Sequence, residues 1–355
     1  FGRSLKRRPQ NTFTLLHRAK AYVHLLQWEE ALASLETILS FETKNAAVWY
    51  YKGICLSQMG LIRESLDATD HAIALDESCA PAWFNRGCGL SSAARYEESL
   101  FAFDRALELN PANQDAAYLK GLSLALLGRH EESLASFEAA LSLGPGTAPL
   151  FYHRGHAFGK LGRFSEALES FNRSLDLNDS DFVTWHEKGD ALFRLGQFSD
   201  AIPAYLRALE LNPADAQAAF CQAQASVSLG HDDEAVPAFD RALSINPDLP
   251  EAAYLKGLAL ARLQRLSDAV SAFEYTLKLS PEHADAHYHK GLALLSLGKF
   301  EKSINSFISA LTHDPGNADA IYRTGLAYAG LEDSENALVA FDRYLESNPE
   351  SADAL

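Results

Sequence analysis

The chain has 355 residues, 47% of them hydrophobic, and a formal net charge of −16. That length would suggest two or three globular domains, and that charge argues against nucleic acid as a partner, because an acidic surface repels a phosphate backbone. No apolar run approaches the ~18 residues that a membrane span requires, so the sequence predicts none.

In chain order, residues 1–11 form a basic extension: Arg3, Lys6, Arg7 and Arg8 fall among the first eight residues with no acid beside them. Such a tip suits an anionic membrane surface, a neighbouring domain, or simply a solvated linker. No signal-peptide pattern is present, and Phe1 in place of Met reads as the start of a fragment. The four cysteines, Cys55, Cys79, Cys88 and Cys221, form no C-x-x-C pair and do not recur at a fixed spacing. They argue against a disulfide framework or a zinc module and fit a reducing, cytoplasmic setting.

From residue 12 onward the chain repeats every 34 residues without insertion or deletion, and ten copies span 12–351. Gly53, Gly87, Gly121, Gly155, Gly189, Gly257, Gly291 and Gly325 share one register, with Ala19 and Ala223 in the two other slots. A fixed period of this kind overrides the globular prior and indicates a solenoid, each unit packed on its neighbours. In copy 80–113, Trp83, Gly87 and Leu90 lie at helical spacing, and so do Tyr96, Leu100, Phe103 and Leu107. The break between the halves carries Gly60, Gly128, Gly162, Gly196, Gly230 or Gly298, a helix-ending glycine. A proline such as Pro111, Pro213 or Pro315 closes the copy, and Asn113, Thr147, Asp181, Asp215 or Asn317 caps the next first helix. Each copy is therefore expected to be an antiparallel helix pair, A then B. Residues 352–355 begin a further helix.

Twelve residues after the glycine every copy has Ala or Ser, and four later most have Phe or Tyr, as in Ser133 and Phe137. This glycine, small residue, aromatic and closing proline resemble the tetratricopeptide repeat over residues 12–355. Lys or Arg just before the glycine, as in Lys52, Arg86 and Lys120, resembles the long arrays of methanogenic archaea and bacteria. The resemblance implies an all-α fold, an α-solenoid wound as a right-handed superhelix, with A helices lining a concave groove. It implies protein or peptide binding, no cofactor and no chemistry of its own. No nucleophile–base pair, Walker loop or paired-carboxylate motif appears.

By that resemblance the groove is lined by the second, fifth, sixth, ninth, twelfth and thirteenth residues of each copy. Tyr118, Leu119, Leu122 and Leu126 then make one apolar patch. Tyr254, Leu255, Leu258, Tyr288 and Leu292, continuing through Leu295 and Leu326, make a longer one. The fifth-place aromatics fit scaffold as well as contact. Apolar anchors on a solvent-facing stripe suggest a bound peptide or amphipathic helix; the competing reading buries these leucines between helices. The carboxylate clamp and the asparagine ladder of other family members lack their required residues here.

A polar cluster interrupts the lining: His153 and His156, then His186, Glu187 and Asp190, with Lys160 and Arg194 one turn on. It fits a metal ligand set, a contact for a charged ligand residue, or a solvated salt-bridge network. No metal motif recurs, and no metal is assigned. His283, His287 and His289 also tempt a metal reading, but His287 stands where Trp49, Trp83 and Trp185 stand in other copies, which suggests a core role.

Copies 12–45 and 216–249 depart from the pattern, the latter through Ala223, Ser226 and Asp232. Pro203 and Pro237 fall early in consecutive B helices, as tolerated first-turn prolines if Ser199 is a cap, or as a hinge over 195–240. The chain thus reads as a protein-interaction scaffold. The alternative is the regulatory or targeting arm of a larger enzyme or signalling protein, and uncapped ends would also permit self-association.

Overall fold

The structure, a computed structural model, describes residues 11–348. The basic residues before Asn11 and the expected start of a further helix after residue 351 lie outside that range. The chain divides at Asn178/Asp179 into two compact units, each an α-solenoid of five antiparallel helix pairs. Among the described residues no strand occurs.

In the first unit the pairs are α1 Thr12–His24 with α2 Trp28–Leu39, α3 Ala46–Gln58 with α4 Ile62–Leu75, and α5 Ala80–Ser92 with α6 Tyr96–Leu109. Then come α7 Gln114–Leu126 with α8 His130–Leu143, and α9 Ala148–Lys160 with α10 Phe164–Leu177. The second unit holds α11 Phe182–Arg194 with α12 Phe198–Leu211, α13 Ala216–Ser228 with α14 Asp232–Ile245, and α15 Pro250–Arg262 with α16 Leu266–Leu279. It closes with α17 Ala284–Ser296 with α18 Phe300–His313, and α19 Ala318–Gly330 with α20 Ser334–Ser347.

The close approach of A to B rests on the glycine and the aromatic sixteen residues later. A Cβ on Gly121 would stand 2.6 Å from the Phe137 ring, and one on Gly257 2.6 Å from Phe273. With glycine at that place the rings of Phe137 and Phe273 bury fully, and the pair α13–α14 accommodates a single methyl, Ala223, over an equally buried Phe239. The small slot of helix B adds a polar tie: Ser65, Ser133 and Ser303 each donate their hydroxyl to the carbonyl of Gly53, Gly121 and Gly291 at 2.8 Å.

The turns are just as local in origin. Gly60, Gly128, Gly162, Gly196, Gly230 and Gly298 have φ between 70° and 77°. Where the sequence lacks the glycine, Leu26, Ala94, Gln264 and Glu332 take the same left-handed backbone, at a cost of about 1–2 kcal/mol for each residue bearing a Cβ. The next amide then reaches back five residues, Arg129 N–H to Leu124 C=O at 2.9 Å, which closes the A helix. At helix starts the side chains of Asn113, Thr147, Asp181, Asp215 and Asn317 accept from backbone amides, and so does His283 Nδ1.

The basic residue before the glycine joins consecutive pairs. Lys120 reaches Asp104 at 2.6 Å, Arg154 reaches Glu138 at 2.7 Å, and Lys290 reaches Glu274 at 3.0 Å, each from an A helix to the preceding B helix. Being partly exposed, such pairs contribute about 0–1 kcal/mol each and mainly set the register.

Two local expectations need correction. Ser199 is not the cap of α12; Gln197 is, with no side-chain bond. Pro203 and Pro237 are therefore the sixth residues of α12 and α14, in the second turn, and both are exposed, as are Ser199 and Asp233, whose carbonyls lose their partner amides. In pair α13–α14, the nearly buried Asp232 is met by both arms of the Arg262 guanidinium at 2.8 and 2.6 Å. Ser226 fills an apolar slot, buried, with no partner for its hydroxyl.

Candidate functional site

The candidate residues all lie on A helices, and the two units carry them separately. In the first unit, α7 presents Tyr118, Leu119, Leu122 and Leu126. The Tyr118 ring packs on Phe137 of the same pair at 6.1 Å between centroids, so its body belongs to the scaffold. Leu119 and Leu122 are half-buried, whereas Leu126 is 56% exposed and is the residue of this patch most open to a ligand. On α9, His153 lies 6.1 Å from Tyr118 and 5.0 Å from Tyr152. His156 sits against Tyr152 at 6.3 Å. Both histidines are half-buried, and burial holds both below their ordinary pKa; His156 adds to the effect at His153, and Lys160 and His130 add to it at His156. At neutral pH they are uncharged donors and acceptors set in an aromatic and apolar surface.

In the second unit, Tyr254 packs on Phe273 at 6.1 Å and Tyr288 on Phe307 at 6.0 Å, repeating the Tyr118 arrangement. Leu255 and Leu258 are half-buried and also pack against the core of the neighbouring pairs. Leu292 is half-buried too. These leucines thus share their surface between core and solvent. The hydroxyl of Tyr288 donates to Asp319 on α19. Tyr254 also meets His283 at 4.6 Å and His289 at 5.9 Å.

The polar candidates fall on both units: His153 and His156 on α9, and His186, Glu187 and Asp190 on α11. Within the second unit, His186 Nδ1 bonds Asp215 Oδ2 at 2.8 Å, and its Nε2 stands 3.7 Å from Asp190 Oδ2. Asp190 Oδ1 accepts from the Tyr205 hydroxyl at 2.7 Å. Cys221 on α13 completes this cluster and escaped the sequence reading. The signal was present, since Cys221 holds the sixth place of its copy and His186 the fifth of the copy before, neighbouring groove places. His287 is a structural residue: its Nε2 bonds the Pro281 carbonyl at 2.9 Å, as the indole N–H of Trp83 bonds that of Glu77 at 3.0 Å.

Comparison with known proteins agrees with this architecture. Sequence profiles of the tetratricopeptide repeat match residues 84–148, 186–250, 254–318 and 290–352, and a second one matches 148–181. The chain belongs to the tetratricopeptide repeat family, a fold that typically serves as a non-catalytic scaffold for protein or peptide partners. Among solved structures it is similar to YrrB, described as a TPR protein with an unusual peptide-binding site, at 25% identity and a TM-score of 0.49, over 53% of this chain and 96% of that one. It is similar to MamA at 26% identity and a TM-score of 0.44, over 46% and 96%. The C-terminal part of a TPR repeat-containing protein from Cytophaga hutchinsonii aligns at 15% identity with a TM-score of 0.52, over 76% and 97%. A search of curated proteins returns no match. Among the described residues no helix is long and apolar enough to cross a membrane.

Proposed function

We propose that this chain is a non-catalytic scaffold, built of ten tandem repeats over 12–351, whose A-helix faces hold a peptide or helical segment of a partner protein through apolar anchors. The observation that carries this reading is a set of leucines on A helices that stay partly open: Leu258, Leu292 and Leu326, half-buried at the same place of three successive pairs, and on α7 the half-buried Leu119 and Leu122 with Leu126 56% exposed. A side chain seated there buries further apolar area at about 25 cal/mol per Å². The aromatic floor of Tyr118, Tyr254 and Tyr288 supplies rigid contact area, and the neutral His153 and His156 supply adaptable hydrogen bonds beside it. The acidic surface favours a partner segment of net positive charge.

The test is affinity capture from a cytoplasmic extract of the source organism, with partners identified by mass spectrometry. Wild type is compared with Leu126→Asp and with a Leu122→Asp, Leu258→Asp double variant that retains its helical circular dichroism. Partners that wild type recovers and both variants lose support the reading. Equal recovery by all three proteins overturns it.

A further inference from the structure

We infer that His186, Asp190 and Cys221 form a binding site for a divalent cation of the zinc class on the A-helix face of the second unit. His186 and Asp190 are one helical turn apart on α11, and Cys221 reaches them from α13. One ligand atom from each, an imidazole nitrogen, a carboxylate oxygen and the sulfur, lie within 4.8 Å of one another. His186 Nε2 and Asp190 Oδ2 are 3.7 Å apart. A tetrahedral ion with bonds of about 2.0–2.3 Å spaces its ligands by roughly 3.3–3.8 Å, so small side-chain rotations close the set.

The surroundings are those that hold metal ligands in place. The far nitrogen of His186 bonds Asp215 at 2.8 Å, which fixes the tautomer with hydrogen on Nδ1 and leaves the Nε2 lone pair for an ion. Asp215 is itself anchored as the cap of α13, accepting from the Ala218 amide at 2.9 Å. Asp190 Oδ1 accepts from the buried Tyr205 hydroxyl, which orientates the carboxylate and its Oδ2, and Gln217 donates to Cys221 Sγ at 3.4 Å. The side chain of Asp190 is 45% exposed, which leaves the cluster open to solvent for a fourth ligand.

The donor set selects the metal. One nitrogen, one sulfur and one oxygen suit a borderline-soft ion such as zinc, whereas calcium and magnesium require oxygen donors throughout. A cysteine binds a metal as the thiolate, so its thiol must give up a proton. Binding replaces that proton with the metal and releases it to solvent, which makes affinity rise with pH. The inference stands independently of the peptide-binding proposal.

The experiment uses the full chain, freed of metal, with Zn2+ by calorimetry and Co2+ by absorption as probes. One Zn2+ per chain with proton release is expected, together with a thiolate-to-cobalt charge-transfer band. Cys221→Ser removes the band and His186→Ala lowers zinc affinity by more than tenfold, while Cys79→Ser changes neither. Asp215→Asn keeps the band and weakens binding by about 10- to 100-fold, the signature of a positioning residue. Should a variant fold poorly, alkylation in wild type decides: Zn2+ must slow iodoacetamide labelling at Cys221 and leave Cys79 unchanged. A missing cobalt band, a band that survives Cys221→Ser, or labelling of Cys221 indifferent to Zn2+ overturns the inference.

Discussion

Replacing Gly121 with valine tests whether the glycine–aromatic contact sets the spacing of each helix pair. A Cβ there stands 2.6 and 2.7 Å from two carbons of the Phe137 ring and 3.2 Å from the Ser133 carbonyl oxygen. Carbon atoms prefer about 3.5–4.0 Å, so the ring must retreat by roughly 1 Å. Phe137 is fully buried, with no solvent to retreat into. Overpacking costs about 1–3 kcal/mol, and the two further methyls place Val at the upper end. The better helix propensity of Val over Gly offsets only about 0.5 kcal/mol. The expected net loss is about 2–3 kcal/mol, local to the pair α7–α8. A single methyl is a different case: Ala223 already sits at this place above a fully buried Phe239, so Gly121→Ala is expected to stay within about 1 kcal/mol. Repeat arrays do not unfold as one cooperative unit, so the assay is amide hydrogen exchange resolved by helix. Gly121→Val should speed exchange in α7 and α8 by roughly 30- to 140-fold, at tenfold per 1.4 kcal/mol. Phe137→Ala alone should cost about 3–5 kcal/mol, and the double variant should lose less than the sum by about 1–3 kcal/mol. Strict additivity, or unchanged exchange in Gly121→Val, would refute the reasoning.

Ala94 has φ of 57° where other copies place glycine. Ala94→Gly should slow local exchange by the equivalent of about 0.5–1 kcal/mol, after the unfolded chain's added freedom is subtracted. His153 and His156 have pKa values lowered from 6.5 by burial. Above that value both states are neutral; below it the unfolded chain takes protons first, so the pair α9–α10 should lose stability as pH falls below about 6.5 toward the lowered folded-state values. Exchange rates corrected for intrinsic pH dependence check this, and His153→Gln with His156→Gln should flatten the profile. Arg262→Met strands the nearly buried Asp232 carboxylate and should cost about 1–2 kcal/mol in pairs α13–α14 and α15–α16, partly regained with Asp232→Asn, as thermal unfolding would register.

The repeat made the fold legible. Glycine, small residue, aromatic and proline at fixed offsets are each a direct steric or hydrogen-bonding requirement of the helix pair, so the sequence spells them out. Even the expected caps at Asn113, Thr147, Asp181, Asp215 and Asn317 are local, three-residue devices. Substitutions that reproduce the geometry by other means were harder to read: Ala94 in a left-handed turn, or Asp232 made acceptable by Arg262 thirty residues on. The candidate site was legible only as positions on A helices. How much of each leucine stays open depends on packing between pairs, which left Leu126 exposed and Leu255 and Leu258 shared with the core. The approach of Cys221 to His186 is likewise a contact between copies, with no local motif to announce it.

The central claim is that partners bind the A-helix faces. Its most direct test is photo-crosslinking from single sites in the intact chain, with a photoreactive phenylalanine at Leu126 or Leu258 on A helices and at the exposed Phe101 on helix B. A captured partner should crosslink from Leu126 or Leu258 through a segment rich in apolar residues, and not from Phe101. Crosslinks from Phe101 alone would contradict the account and place recognition on the B helices.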